Sequence, residues 1–219
     1  MNRTKRITLL IVFTLIFGII AFFHESRLGK WIDNEVYEFI YASESFITTS
    51  ILLGATKIGE VWAMVCLSLM LVAYLMLKRY KIEALFFVIT MSLSGILNPL
   101  LKNIFDRERP TLLRLIDISG FSFPSGHAMG STSFFGSAMY IAQRRASGST
   151  KGVIIGLCAA LILLISISRV YLGVHYPTDI IAGIIGGAFC IVLSTLVLKG
   201  LYEPTICLLY TSPSPRDVE

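Results

Sequence analysis

The sequence predicts an all-α, polytopic membrane bundle of six transmembrane helices with one short amphipathic helix at the interface. Three observations predict it. Only 15% of the 219 residues are charged, where a soluble domain usually carries about a quarter. The mean hydropathy is +0.75. Apolar runs of about 17–22 residues recur along the whole chain, and roughly 20 apolar residues cross a bilayer as a helix. No internal repeat and no low-complexity linker divides the chain, so residues 1–203 read as a single integral membrane domain.

The first span is expected at Ile7–Phe23, behind the basic start Arg3, Lys5 and Arg6. A secretory signal would end in small residues; here Phe22, Phe23, His24 and Glu25 follow, and the segment reads as a retained signal anchor. The stretch from His24 to Lys57 is mixed. It sets Trp31, Ile32, Val36, Phe39 and Ile40 at helical spacing among acids, with Tyr37 and Tyr41 beside them. This pattern fits an amphipathic helix on the membrane surface, its aromatics at headgroup level, and those aromatics are expected to line or gate a lipid entrance. Further spans are expected at Val61–Leu77, Ile82–Leu101, His127–Ala142, Gly152–Ser168 and Thr178–Leu198. From Pro204 the helical pattern stops. The stretch Cys207–Asp217 holds two prolines and no pattern that would pack, and residues 204–219 read as a disordered or non-native tail of the adapter-scar kind.

With the N-terminus inside, the inner segments hold Arg3, Lys5, Arg6, Lys78, Arg79, Lys81, Arg144, Arg145, Lys151, Lys199 and Arg216. The outer ones hold Arg27, Lys30, Lys57, Lys102, Arg107, Arg109, Arg114 and Arg169. Lys and Arg prefer the cytoplasmic side, and the excess grows when Lys102, Arg109 and Arg169, which belong to a motif, are set aside. The loops after the third and fifth spans are then expected on the extracytoplasmic face. The net charge of +5 does not mark a nucleic-acid binder, because the basic residues lie in short loops between apolar runs. Of the four cysteines, Cys66, Cys158 and Cys190 lie within spans and Cys207 in the tail. Without CxxC or Cys/His spacing, none suggests a metal site.

Ionisable residues at membrane depth are costly and mark function. Three clusters stand out, in two loops that two crossings place on one membrane face. The first is Lys102-Asn-Ile-Phe-Asp-Arg-Glu-Arg109-Pro110. Lys102 and Arg109 are nearly two helical turns apart and share a face, and Pro110 disfavours helix at the residue before it. The pair suits a phosphate, held by a planar fork and a point charge; it equally suits interfacial anchoring by snorkelling. The second is Phe123-Pro124-Ser125-Gly126-His127. Ser125 is placed to cap the next helix, whose N-terminus favours an anion. Gly126 allows close approach, and His127 can protonate a leaving oxygen. The third runs from Ser168-Arg169 to His175-Tyr-Pro-Thr-Asp179. His175 and Asp179 lie four apart, a carboxylate beside an imidazole, which orients the ring and activates it as a nucleophile. Cations, nucleophile and acid together are what phosphoryl transfer requires. Asp106, Glu108 and Asp117 read as solvated loop charges.

Lys-x6-Arg-Pro, Pro-Ser-Gly-His and Ser-Arg-x5-His-x3-Asp together resemble the three-part signature of the type-2 phosphatidic acid phosphatases, over Lys102 to Asp179 with the spacings intact. That superfamily includes bacterial phosphatidylglycerophosphate and undecaprenyl-diphosphate phosphatases and the vanadium haloperoxidases. The resemblance implies that Lys102, Arg109 and Arg169 bind phosphate, helped by Ser125 and the Gly126 backbone. It implies that His175 attacks phosphorus, Asp179 orients it and His127 protonates the leaving oxygen, with water then cleaving the phosphohistidine. No metal and no cofactor is expected. The expected partners are a lipid phosphate and the surrounding membrane lipids. Phosphatidylglycerophosphate, phosphatidate and undecaprenyl diphosphate all fit the site. A vanadate-dependent haloperoxidase would keep the site but change the chemistry, and those relatives are typically soluble. A channel or transporter would place charges within spans, whereas here they sit at span ends.

Overall fold

The computed structural model describes residues 2–41, 44–111, 115–116 and 118–198. The expected tail, 204–219, lies outside them, as do Arg114, Asp117 and the side chain of Tyr41. Eight α-helices and no strand are present among the described residues: α1 (Arg3–Phe23), α2 (Arg27–Tyr41), α3 (Phe46–Ile58), α4 (Val61–Leu77), α5 (Lys81–Phe105), α6 (Gly126–Arg145), α7 (Gly148–Tyr171) and α8 (Pro177–Val197).

Four of them, α1, α5, α7 and α8, are long and apolar enough to cross a membrane. Helices α3 and α4 pass only as a pair bent by 56°, which raises the number of candidate spans to at most five. The expected sixth, α6, falls short on apolarity for a physical reason. It packs against α5, α7 and α8 at the centre of the bundle, and it buries Ser131, Thr132, Ser133 and Ser137 along with Phe134 and Phe135. A helix shielded from lipid by its neighbours does not need an apolar surface, and small residues let those neighbours come close. The outer helices show the opposite pattern: Ile11, Leu15 and Ile19 of α1 and Leu69, Met70 and Tyr74 of α4 are exposed.

The mixed stretch is corrected in one respect. Only its first half is the expected amphipathic helix, α2. The second half is a separate, largely apolar helix, α3, which Ser45 starts by accepting a hydrogen bond from the Thr48 amide at 3.1 Å.

The helix ends bring the motifs together. Asp106, with left-handed backbone (φ 37°), terminates α5 just beyond Lys102. Ser125 caps α6, and its own amide donates to the Asp179 carbonyl at 3.0 Å, tying the start of α6 to the first turn of α8. Pro177 opens α8, where a missing N–H costs nothing. Gly183 and Gly187 let α8 lie directly on α6. A methyl group on Gly183 would come within 2.7 Å of the Ser125 carbonyl oxygen, and one on Gly187 within 2.7 Å of Thr132 Cβ.

Candidate active site

A cavity of about 720 Å³ opens between α4 and α5 and reaches inward to the start of α6. Its polar end is formed by Lys102, Arg109, Gly126, His127, Arg169 and His175, and its apolar flank by residues such as Val65, Leu69, Val88 and Met91. Six of the eight residues singled out from the sequence therefore face one space. The other two, Ser125 and Asp179, are fully buried behind it. No residue of α2 lines this cavity among the described residues. The expected gating role of Trp31–Tyr41 is corrected accordingly, because α2 packs over α7 and α8 instead.

His175 sits in the short turn between α7 and α8. Its Nδ1 lies 3.3 Å from Asp179 Oδ2 and its Nε2 lies 3.2 Å from Arg109 Nη1. A guanidinium can only donate, so Nε2 is the accepting nitrogen and Nδ1 carries the proton. That tautomer turns the Nε2 lone pair toward the cavity. Burial of the ring, partly opposed by Asp179, holds the imidazole down to about 4 from its ordinary value near 6.5, so it is neutral at physiological pH.

Asp179 is saturated with donors. Its Oδ2 accepts from the Tyr176 amide at 2.9 Å and from the Ser122 hydroxyl, and its Oδ1 accepts from Arg107 Nη1 at 2.6 Å. Arg107 also donates to Asp33 Oδ2 of α2 at 2.8 Å.

The cations are held by backbone and hydroxyl oxygens rather than by acids. Lys102 Nζ donates to the Phe121 carbonyl at 2.7 Å. Arg109 donates to the carbonyls of Gly120 and Val174, both at 2.8 Å. Arg169 Nη1 donates to Thr56 Oγ1 at 2.5 Å. All three line the cavity, to which they bring positive charge. Three buried polar atoms of cavity residues, Ser68 Oγ, His127 Nε2 and Arg169 Nε, have no hydrogen-bond partner among the described residues. Unpaired buried donors and acceptors are expensive, and the last two lie at the polar end, where an anion can fill the space. No group of three or more metal-ligating side chains is present among the described residues.

Ser125 spends its hydroxyl on the α6 cap, accepting from the Ala128 amide at 3.4 Å. Gly126 is needed for a reason the sequence does not disclose: a Cβ there would meet Asn98 Oδ1 at 3.0 Å. Gly59 is equally constrained, because a Cβ would come within 2.8 Å of His127 Cδ2.

Sequence reasoning missed Asp33, Thr56, Arg107 and Ser122. Arg107 stood inside a quoted motif, but nothing in one dimension shows that it turns to Asp179 while Arg109 turns to the cavity. Asp33 carried one weak signal, an acid on the same face as Tyr37, four residues on, which is the buried face of α2.

The fold and the cavity together define an integral membrane protein with a cationic, histidine-bearing site at one end of an apolar-flanked cavity. The PAP2 superfamily matches residues 83–202, more than half of the chain, and the chain belongs to that superfamily. The relatives it matches are named as phosphatases, enzymes that hydrolyse phosphate esters. Phosphatidylglycerophosphatase B of Bacillus subtilis (strain 168) is 29% identical over 135 residues, which cover 61% of this chain and 66% of that protein. The lipid A 1-phosphatase of Rhizobium etli is 30% identical over 167 residues, 65% of this chain and 68% of that one. Among solved structures, the transmembrane PAP2-type phosphatidylglycerolphosphate phosphatase of Bacillus subtilis superposes with a TM-score of 0.80 at 25% identity. The match covers 89% of this chain and 96% of that one. LpxE of Aquifex aeolicus shares the fold, with a TM-score of 0.61 at 20% identity over 73% of this chain and 92% of that one.

Proposed function

We propose that this chain hydrolyses the terminal phosphate of a membrane lipid through a phosphohistidine on His175, without a metal. The observation that carries the reading is the position of His175: Nδ1 held by Asp179, Nε2 at a cavity lined by the cations Lys102, Arg109 and Arg169.

In the first step the Nε2 lone pair attacks phosphorus. The P–N bond forms as the bond from phosphorus to the leaving oxygen breaks, and His127, protonated once the bound phosphate offsets the surrounding cations, gives its proton to that oxygen. Asp179 holds the Nδ1 proton and steadies the positive charge that develops on the ring. Lys102, Arg109 and Arg169 take the equatorial oxygens, where charge is spread in the transition state. Ser125 contributes through the α6 N-terminus that it caps, which presents N–H groups and a partial positive charge to the anion. In the second step His127 removes a proton from water. The oxygen attacks phosphorus, the P–N bond breaks and inorganic phosphate leaves.

The apolar flank between α4 and α5 supports a lipid rather than a soluble ester, with the tail along Val65, Leu69, Val88 and Met91 and the phosphate at the cationic end. Phosphatidylglycerophosphate, phosphatidate and undecaprenyl diphosphate all meet that description, and the relatives' names add lipid A phosphates to the class. Residues 1–203 form one membrane domain crossing six times, with α4 and α6 counted among the crossings. The distribution of Lys and Arg favours an extracytoplasmic site, and on that face a carrier-lipid diphosphate ranks ahead of phosphatidylglycerophosphate.

The test is phosphate release in detergent with excess EDTA from the three lipids, for wild type and His175→Ala. Release that resists EDTA and vanishes in the variant is expected, and the ranking of rates names the lipid. Activity surviving in His175→Ala, or release from none of the lipids, would overturn the reading.

A further inference from the structure

Behind the cavity lies a buried charge relay that does not touch it. Asp33 of α2 and Asp179 of α8 are both wholly inaccessible, and the guanidinium of Arg107 bridges them at 2.8 and 2.6 Å. Arg107 also donates to Thr178 Oγ1 at 2.8 Å and lies 4.0 Å from the centre of the Tyr176 ring. Asp33 does more than pair with Arg107. It accepts from the Thr178 amide at 3.0 Å and from the Thr178 hydroxyl at 2.8 Å. An acid from a distant helix thereby satisfies an N–H of the first turn of α8, which that helix cannot satisfy itself.

We propose that Arg107 and Asp33 are positioning residues that fix the Asp179 carboxylate against His175 without contacting substrate. Three observations argue for this. Neither residue lines the cavity. Arg107 is committed to two carboxylates, so it has little charge to lend a phosphate. A buried ion pair is a poor source of net stability, because desolvation offsets much of the attraction. Its value here is geometric: Arg107 occupies Oδ1 and leaves Oδ2 for Ser122, Tyr176 and His175. Two buried carboxylates near one guanidinium also hold their combined charge near His175 at a level that either substitution would change.

The inference rests on the phosphohistidine reading, and one readout is chosen to be independent of catalysis. In protein labelled with ¹⁵N-histidine, the His175 ring is titrated in detergent and assigned by its loss in His175→Ala. The groups that face this ring are Asp179 and Ser122, the cations Arg109 and Arg169, and His127 across the cavity. Removing Arg107 leaves Asp179 unbalanced, so Arg107→Ala is expected to raise the pH at which His175 titrates. Asp33→Asn leaves Arg107 with one carboxylate to neutralise, and the titration is expected to move the other way. Arg107→Lys should restore most of the wild-type value.

Kinetically, Arg107→Ala is expected to lower kcat with KM for the lipid nearly unchanged. An orienting carboxylate is worth about 10⁴ in kcat, and a group one step behind is expected to matter by about 10–100-fold. Titration of His175 at the wild-type pH in both Arg107→Ala and Asp33→Asn would overturn the proposal, whether or not any lipid is hydrolysed. A loss confined to KM would overturn it too, by making Arg107 a substrate ligand. If only phosphatase activity is missing while the titrations shift as stated, the functional reading fails and the positioning role stands.

Discussion

At the scale of single residues, the neutral state of His175 bears on the proposed chemistry and on stability. Its imidazole is held down to about 4 by burial, so the Nε2 lone pair remains available until the medium is strongly acidic. The acid limb of the kcat/KM profile, which reports the free enzyme, is therefore expected near pH 4 rather than near 6.5. The same depression has a thermodynamic sign. Between about pH 6.5 and 4 the unfolded chain binds a proton that the folded ring refuses. This contribution to stability is full above 6.5 and is lost as pH falls through about 4. Melting temperatures measured from pH 8 to pH 4 check it, and the decline should shrink in His175→Ala. Asp179→Asn should keep the fold's shape yet lower kcat by about 10³–10⁴-fold, since the ring loses its preferred tautomer. His127→Ala separates the proposed acid from the proposed nucleophile. It is expected to cost less with an aryl phosphate, whose leaving oxygen needs no proton, than with a lipid monoester, and comparing kcat on the two substrates decides it.

Among the elements, the contact of α6 with α8 carries the most information, because it joins the Pro-Ser-Gly-His turn to the His–Asp turn. Gly183 and Gly187 make it possible, and a methyl group at either would press on backbone or Cβ atoms of α6. Gly183→Ala is expected to destabilise by about 1–3 kcal/mol, the usual cost of overpacking, and to lower kcat by displacing Ser125 from Asp179. Gly18→Ala in α1 meets nothing within 4 Å and should be neutral. Thermal unfolding of the two variants in one detergent makes the comparison. Much of α2 was legible, since its apolar spacing stands out; its partner was not. Trp31 and Phe39 remain exposed while Asp33 and Tyr37 turn inward, so the buried face of this helix is built around an acid. Amphipathic patterning alone would have placed that acid in water.

Across the whole molecule, charge is sorted to the two ends of the bundle. One end carries the site. The other carries Glu83, buried at the start of α5 and paired with Arg145 at 2.6 Å and Arg144 at 3.6 Å, and Arg6 of α1, which donates to the Thr195 carbonyl of α8 at 2.5 Å. These contacts close the bundle at the opposite end of α5 from Lys102. Glu83→Gln is expected to lower the melting temperature while leaving KM for the lipid unchanged. Orientation in the membrane is testable directly. With the site outside, a cysteine replacing the exposed Glu108 should react with an impermeant maleimide on intact cells, and one replacing Lys78 should react only after lysis. The reverse pattern would put the site in the cytoplasm.

What the sequence determined by itself was the helical membrane architecture and the identity of the residues at the polar end of the cavity. Both follow from local signals: apolar runs have the length of a bilayer, and rare polar residues at span ends stand out against them. The boundaries of helix α4 agree to the residue, and those of helices α1, α5, α6, α7 and α8 to within a few positions. What only the tertiary structure decided was which way each polar side chain turns and what backs it. Arg107 and Arg109 are two residues apart, yet one is locked between two buried carboxylates and the other faces the cavity. The sequence separates Asp33 from Asp179 by most of the chain, and a single guanidinium joins them. The central helix α6 likewise escapes an apolar signature because its neighbours, not lipid, surround it. Burial and partner choice are properties of the packed chain, and no window along the sequence contains them.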